Sequence, residues 1–327
     1  MIVDTYSAPL PWHVRLWQQL YQSHQTGHLP HALLLAGQTG LGKSLFATDF
    51  AKTLLCKEPV NQQACQQCRD CLLTAAGTHP DLCSLTPEKS GQGIKIDQIR
   101  DVIAKINHTS QATYKIIVIN PADSLLLAAS QALLKSLEEP SERTLFILLT
   151  EKIERLLPTI RSRCQILRFL PPEKGLAMTW LAQQLPKSTT LDKLYYLSAG
   201  APLLAVGYAQ QSYIAYYTDL LTALMQLLNR ERDPIQCAAH YAKTDAQQLL
   251  STLLHIVSEL LKYQLLSGYT AIEDAIIPLA TRLSTDFLLQ YFDEIMQLQA
   301  STTKIALNLP LLLENVFSRW ALQGKLC

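Results

Sequence analysis

Two hydrophobic rhythms divide the chain. In the first half, short runs that are apolar at most positions alternate with stretches where apolar residues return every three or four positions. The short runs are His31-Ala-Leu-Leu-Leu-Ala36, Asp81-Leu-Cys-Ser-Leu85, Lys115-Ile-Ile-Val-Ile119, Leu145-Phe-Ile-Leu-Leu149 and Gln165-Ile-Leu-Arg-Phe169. Apolarity without alternation suits strands buried on both faces, so a parallel sheet is predicted. Between the runs, Ile96, Ile99, Ile103 and Ile106 recur at helical spacing. Leu125 to Leu137 predicts another amphipathic helix, closed by Glu138-Glu-Pro140. Strands and helices in alternation predict a doubly wound α/β domain.

After Pro171-Pro172 the strand signals stop. Residues 173–208 read as a small helical unit closing at Leu197-Ser-Ala-Gly200. Residues 213–327 carry longer periodic segments, such as Leu249 to Leu266 and Phe287 to Leu298, and predict a helical bundle with no chemistry-bearing cluster.

At 327 residues, with 48% hydrophobic and 17% charged positions, the chain has enough apolar sequence for two or three cores and none of the bias of a disordered protein. A net charge of +1 gives no whole-chain basic excess of the kind nucleic-acid binders show, which leaves only a local basic face. Met1-Ile-Val-Asp-Thr-Tyr-Ser carries an acid where a signal peptide wants Lys or Arg, and no apolar run reaches membrane-spanning length. A cytoplasmic protein is expected.

Gly37-Gln-Thr-Gly-Leu-Gly-Lys43-Ser44 fits the phosphate-loop pattern, directly after one predicted strand and opening the helix of Leu45 to Leu55. Gly37, Gly40 and Gly42 let backbone N–H groups face phosphate oxygens, Lys43 supplies a cation and Ser44 a magnesium ligand. Hydrolysis also needs an acid that holds magnesium, usually followed by a glutamate, at the end of an apolar strand. Here that strand ends in Asn120-Pro121. Asp123 is the nearby acid that would have to substitute, and the more economical expectation is a site without hydrolysis.

Cys56, Cys65, Cys68 and Cys71 form a C-x8-C-x2-C-x2-C cluster between the loop helix and the second strand. In a reducing compartment this spacing suits tetrathiolate zinc with a structural role. A redox pair or four ordinary thiols are the competing readings. Cys83, Cys164, Cys237 and Cys327 are dispersed and read as ordinary. Arg161 and Arg163, in Leu156-Leu-Pro-Thr-Ile-Arg-Ser-Arg-Cys164, precede the last strand. Locally, a surface arginine in a weak ion pair is the simpler account; a finger reaching a neighbour's nucleotide is the other.

His31-Ala-Leu-Leu-Leu-Ala-Gly37, the four-cysteine insert, Gly77-Thr-His-Pro-Asp81, Gln131-Ala-Leu-Leu-Lys-Ser-Leu-Glu-Glu-Pro140 and Ser162-Arg-Cys164 together resemble the bacterial clamp-loader branch of the AAA+ ATPases. The resemblance implies an AAA+ domain over residues 1–167, a helical lid over 168–212 and a helical collar over 213–327. It implies a five-membered open ring with an ATP-hydrolysing subunit and a delta subunit, acting on a sliding clamp and primed DNA. It assigns Arg163 as the trans-acting arginine finger and Cys56, Cys65, Cys68 and Cys71 as the zinc module. Where hydrolysing relatives carry a lid arginine, this chain has Leu203 of Gly200-Ala-Pro-Leu203. ATP or ADP binding is therefore expected to be possible but not required, with Mg2+ weakly held. An active loader ATPase using Asp123 and an unrelated P-loop enzyme are the alternatives.

Overall fold

The computed structural model describes residues 6–89, 91–108, 114–186, 190–269, 274–302 and 309–323. Residues 1–5, Cys327 and the side chain of Ile106, all used above, lie outside the described set. Contacts divide the chain into two compact units, Met1–Gly207 and Tyr208–Cys327.

The first unit is built on five parallel strands: β1 (Ala32–Ala36), β2 (Leu82–Leu85), β3 (Lys115–Ile119), β4 (Thr144–Thr150) and β5 (Gln165–Arg168). Their order across the sheet is β2-β3-β4-β1-β5. Leu34 pairs with Leu148 on one side and Ile166 on the other, and Ile117 pairs with Phe146. β1 and β4 are buried at every position, as their unbroken apolarity requires, whereas β5 keeps only Leu167 buried. β2 and β5 are the edges.

The helices of this unit are α1 (Val14–Gln25), α2 (Lys43–Leu55), α3 (Arg69–Ala75), α4 (Ile96–His108), α5 (Leu127–Glu138), α6 (Pro158–Arg161), α7 (Lys174–Gln184) and α8 (Leu191–Leu197); α9 (Pro202–Gln210) crosses the division. α1 was not foreseen from the sequence; it buries Trp17, Leu20 and Tyr21. The helix expected from Leu125 begins instead at Leu127, after a short 3-10 turn at Ala122–Ser124. The reason is a competing backbone pairing: Ile94 N–H donates to Ser124 O, and Leu126 N–H donates to Ile94 O. These bonds keep Leu125 and Leu126 extended.

The second unit is helical throughout its described residues: α10 (Tyr213–Asn229), α11 (Pro234–Tyr241), α12 (Ala246–Leu265), α13 (Ile276–Arg282), α14 (Thr285–Thr302) and α15 (Leu309–Leu322). α12 packs on α13 and α14, and α15 packs on α10 and α11. Two buried polar tips are paired: Trp320 Nε1–H donates to Leu224 O at 3.0 Å and Tyr291 O–H to Val316 O at 3.1 Å. Among the described residues no helix is long and apolar enough to cross a membrane.

Candidate nucleotide loop and cysteine centre

The phosphate loop lies at the carboxyl end of β1, where open parallel sheets place their ligands. Its shape depends on glycine. Gly40 and Gly42 have φ of +79° and +89°, and a Cβ on Gly40 would come within 2.4 Å of Leu204 Cβ. Gly42 is the N-cap of α2, so the loop delivers the free N–H groups of a helix start to one point. Lys43 is buried and folds over the loop; its Nζ donates to Gly37 O at 2.5 Å and to Gln38 O at 2.8 Å. Burial lowers its pKa below the ordinary lysine value, and the carboxylates of Glu151 and Asp123 oppose that shift.

The place of the metal-holding acid is filled by an amide. Asn120, at the end of β3, donates from Nδ2 to Ser44 Oγ at 3.2 Å. Asp123 turns elsewhere: its Oδ1 accepts from Thr150 Oγ1 at 2.7 Å, at the end of β4. Leu203 meets the loop by backbone and packing contacts. Its N–H donates to Gly40 O at 3.1 Å, and its side chain would touch any Cβ on Gly42. Gln38 Nε2 reaches Ala199 O at 2.9 Å, a second tie between loop and following helices.

At the other end of α2, Cys56 is the C-cap. Cys65 and Cys68 lie in the following loop, Cys68 as N-cap of α3, and Cys71 lies in its first turn. The four sulfurs lie within 4.8 Å of one another, with Cys56 to Cys68 at 4.0 Å and Cys65 to Cys71 at 3.9 Å. A tetrahedron with Zn–S bonds of about 2.3 Å has S–S edges of about 3.8 Å, so the donor set fits a tetrathiolate metal. The four cysteines can hold a metal ion.

The thiols differ in their surroundings. The N–H groups of Gln67 and Cys68 hold Cys65 below its ordinary pKa. Burial opposes ionisation of Cys68, but N–H donors from Cys71 and Lys57 and the neighbouring thiols outweigh it, bringing Cys68 down to about 6. Burial pushes Cys56 and Cys71 up. Asp70, between two of the cysteines, faces Lys57 at 3.7 Å and the buried His79 Nε2 at 3.5 Å. His79 Nδ1 accepts from Asp81 N–H at 3.1 Å, so Gly77-Thr-His-Pro-Asp81 ties the cysteine centre to the start of β2. Cys83 is half-buried, and Cys164 and Cys237 are buried, each apart from the cluster.

Arg163 stands in the turn between α6 and β5. Its Nη1 donates to Thr159 O at 3.0 Å, and its Nη2 lies 2.6 Å from Glu138 Oε1.

A family model described as DNA polymerase III, delta subunit, matches residues 12–173, and another, described as its C-terminal part, matches residues 211–321. The DNA polymerase III subunit delta' of Pseudomonas aeruginosa is 33% identical over 320 residues, 95% of this chain and 97% of that protein. The chain belongs to the DNA polymerase III delta-prime family. The Escherichia coli K12 subunit delta' is 39% identical over 202 residues, covering 61% of this chain and 60% of that protein. Among solved structures, a gamma subunit-related protein of Thermotoga maritima covers 94% of this chain and 99% of its own, at 17% identity and a TM-score of 0.46.

Several groups around the phosphate loop escaped the sequence. Glu151, just past β4, accepts a hydrogen bond from Thr39 of the loop. Buried His13 packs its ring 5.5 Å from Phe46 and 4.9 Å from Phe169, beside Gly42. The Leu41 backbone lies near the ring and favours its protonated form, but neither ring nitrogen makes a well-formed hydrogen bond among the described residues. Chain spacing held no signal for these contacts, since each joins segments far apart in sequence.

Proposed function

We propose that this delta-prime family member is a clamp-loader subunit of the replicative DNA polymerase III holoenzyme and that it serves as a stator without hydrolysing ATP. The observation that carries this reading is the Asn120 to Ser44 hydrogen bond at 3.2 Å. An intact loop retains phosphate donors, but a neutral amide sits against the hydroxyl that would share magnesium with an acid. ATP or ADP can bind there but is not required, and Mg2+ is only weakly held. The catalytic contribution lies in Arg163, offered in trans to the ATP of an adjacent subunit. Zinc on Cys56, Cys65, Cys68 and Cys71 is structural, because four thiolates leave no open position.

In this reading residues 1–167 form the AAA+ domain, 168–212 the lid and 213–327 the collar. The subunit joins the ATP-hydrolysing and delta subunits in a five-membered cytoplasmic ring that places the sliding clamp on primed DNA. The relatives named delta' over most of the chain's length support these partners.

Reconstitution tests it. The isolated chain should show negligible ATP turnover, and Arg163→Ala should cut hydrolysis at the neighbouring site by roughly 10³-fold or more while assembly persists. Robust turnover by the isolated chain, lost in Lys43→Ala, would replace this reading with that of an active ATPase.

A further inference from the structure

The Glu138–Arg163 contact has no part in the function described so far. Glu138 is the last residue of α5, within the Gln131 to Pro140 motif. Its carboxylate and the Thr159 carbonyl engage opposite nitrogens of the Arg163 guanidinium, at 2.6 and 3.0 Å. Both anchors rest on firm backbone: Leu137, Ile160 and Cys164, the immediate neighbours of Glu138, Thr159 and Arg163, are buried in one core under the sheet.

The ion pair itself is at the surface, with side-chain exposures of 34% for Arg163 and 51% for Glu138. Pairs so exposed add little to stability, so fold maintenance does not account for it. Position does. An arginine carries large rotamer freedom, which a contact made across a subunit boundary must otherwise remove. A guanidinium has five N–H donors in a planar fork, so a carboxylate can hold one edge while another edge stays free for a phosphate oxygen.

Resting on the reading of Arg163 as a trans finger, we propose that Glu138 is its positioning residue. Glu138 holds the guanidinium in one rotamer before the neighbour's nucleotide arrives and stays behind it when the phosphoryl charge develops. It touches no substrate.

The test uses the assembled loader carrying full-length variants, with kcat and KM for ATP measured separately. Glu138→Ala should lower kcat roughly tenfold with KM and assembly unchanged, since the lost preorganisation is felt in the transition state. Glu138→Gln, which keeps an acceptor oxygen, should recover most of that loss. In an Arg163→Ala background, Glu138→Ala should cause no further decrease. Wild-type or raised kcat in Glu138→Ala overturns the proposal, a rise meaning that Glu138 sequesters the arginine. An equal loss with and without Arg163 overturns it as well, by making the effect merely structural; if Glu138→Ala does not assemble, Glu138→Gln in both backgrounds decides on the same criteria. Should Arg163→Ala alone leave turnover intact, the finger reading falls and takes this inference with it. An impaired Arg163→Ala beside a normal Glu138→Ala sinks this inference alone.

Discussion

One helix carries two centres of opposite completeness. At its N-terminus α2 opens from the phosphate loop, and at its C-terminus it ends on Cys56. The cysteine end has every donor a metal needs, four sulfurs at distances near tetrahedral edges. The loop end has the cradle and lysine, but the neutral Asn120 meets Ser44 at the end of β3, and the apolar Leu203 packs against Gly40 and Gly42. A centre in which the ligand is itself the structural link cannot lose a donor without losing the link. A nucleotide loop can lose its catalytic partners and still keep its shape, because packing on Phe169, Leu203 and Leu204 holds it.

The cysteine end should therefore fail abruptly. Cys71→Ser is expected to abolish stoichiometric zinc and to cost several kcal/mol, lowering the melting temperature by about 10 °C. Cys83→Ser, outside the cluster, should change neither. Metal analysis and calorimetry of the two variants check this. Full zinc content with three thiols would make the two ends of α2 more alike than their geometry says.

What was legible in the sequence follows the same division. The glycines, Lys43 and Ser44 of the loop and the four cysteines were legible because each chemistry demands residue types at short fixed spacings. The central strands β1, β3 and β4 were legible because burial on both faces leaves no polar alternation. Glu138 against Arg163, Asp123 against Thr150 and Glu151 against Thr39 were not, since each pair meets only after the sheet has closed. α1 was legible and missed: Trp17, Leu20 and Tyr21 stand at i, i+3 and i+4, the spacing of an amphipathic helix. The delayed start of α5 was also unreadable, because the pairing of Ile94 with Leu125 joins the chain across a full helix and strand.

If packing rather than ligand holds the loop end, that packing should be sensitive to charge. Burial pushes the His13 imidazole down to about 4, against about 6.5 in an unfolded chain. Between those values the unfolded chain binds a proton that the native ring refuses. Stability from this site is thus complete above about pH 6.5 and is lost as pH falls toward 4. By linkage the loss between pH 7.5 and pH 5 is about 2 kcal/mol. Urea unfolding of wild type and His13→Phe at both pH values measures it, the phenylalanine variant losing that much less. Equal pH dependence in both would mean that the buried His13 ring is not the source of the loss.

The smallest effect expected is the attempt to complete the incomplete end. Asn120→Asp puts a carboxylate where the amide now meets Ser44 Oγ, recreating the oxygen pair that magnesium uses in hydrolysing loops. ATP binding should become Mg2+-dependent, tightening roughly tenfold when the ion is added, about 1.4 kcal/mol. Turnover should stay low, because Pro121 still cannot orient water and Leu203 still supplies no cation. Titration of a fluorescent ATP analogue with and without Mg2+ reads the first part, and phosphate release by the isolated variant reads the second. Adding Ser44→Ala should erase the gain, because carboxylate and hydroxyl share the ion; a metal held by the aspartate alone would keep it. Full hydrolysis from this one substitution would show that a single missing acid separates this loop from an active one; Mg2+ dependence without hydrolysis would show that the loss is distributed over β3 and the helix at Leu203.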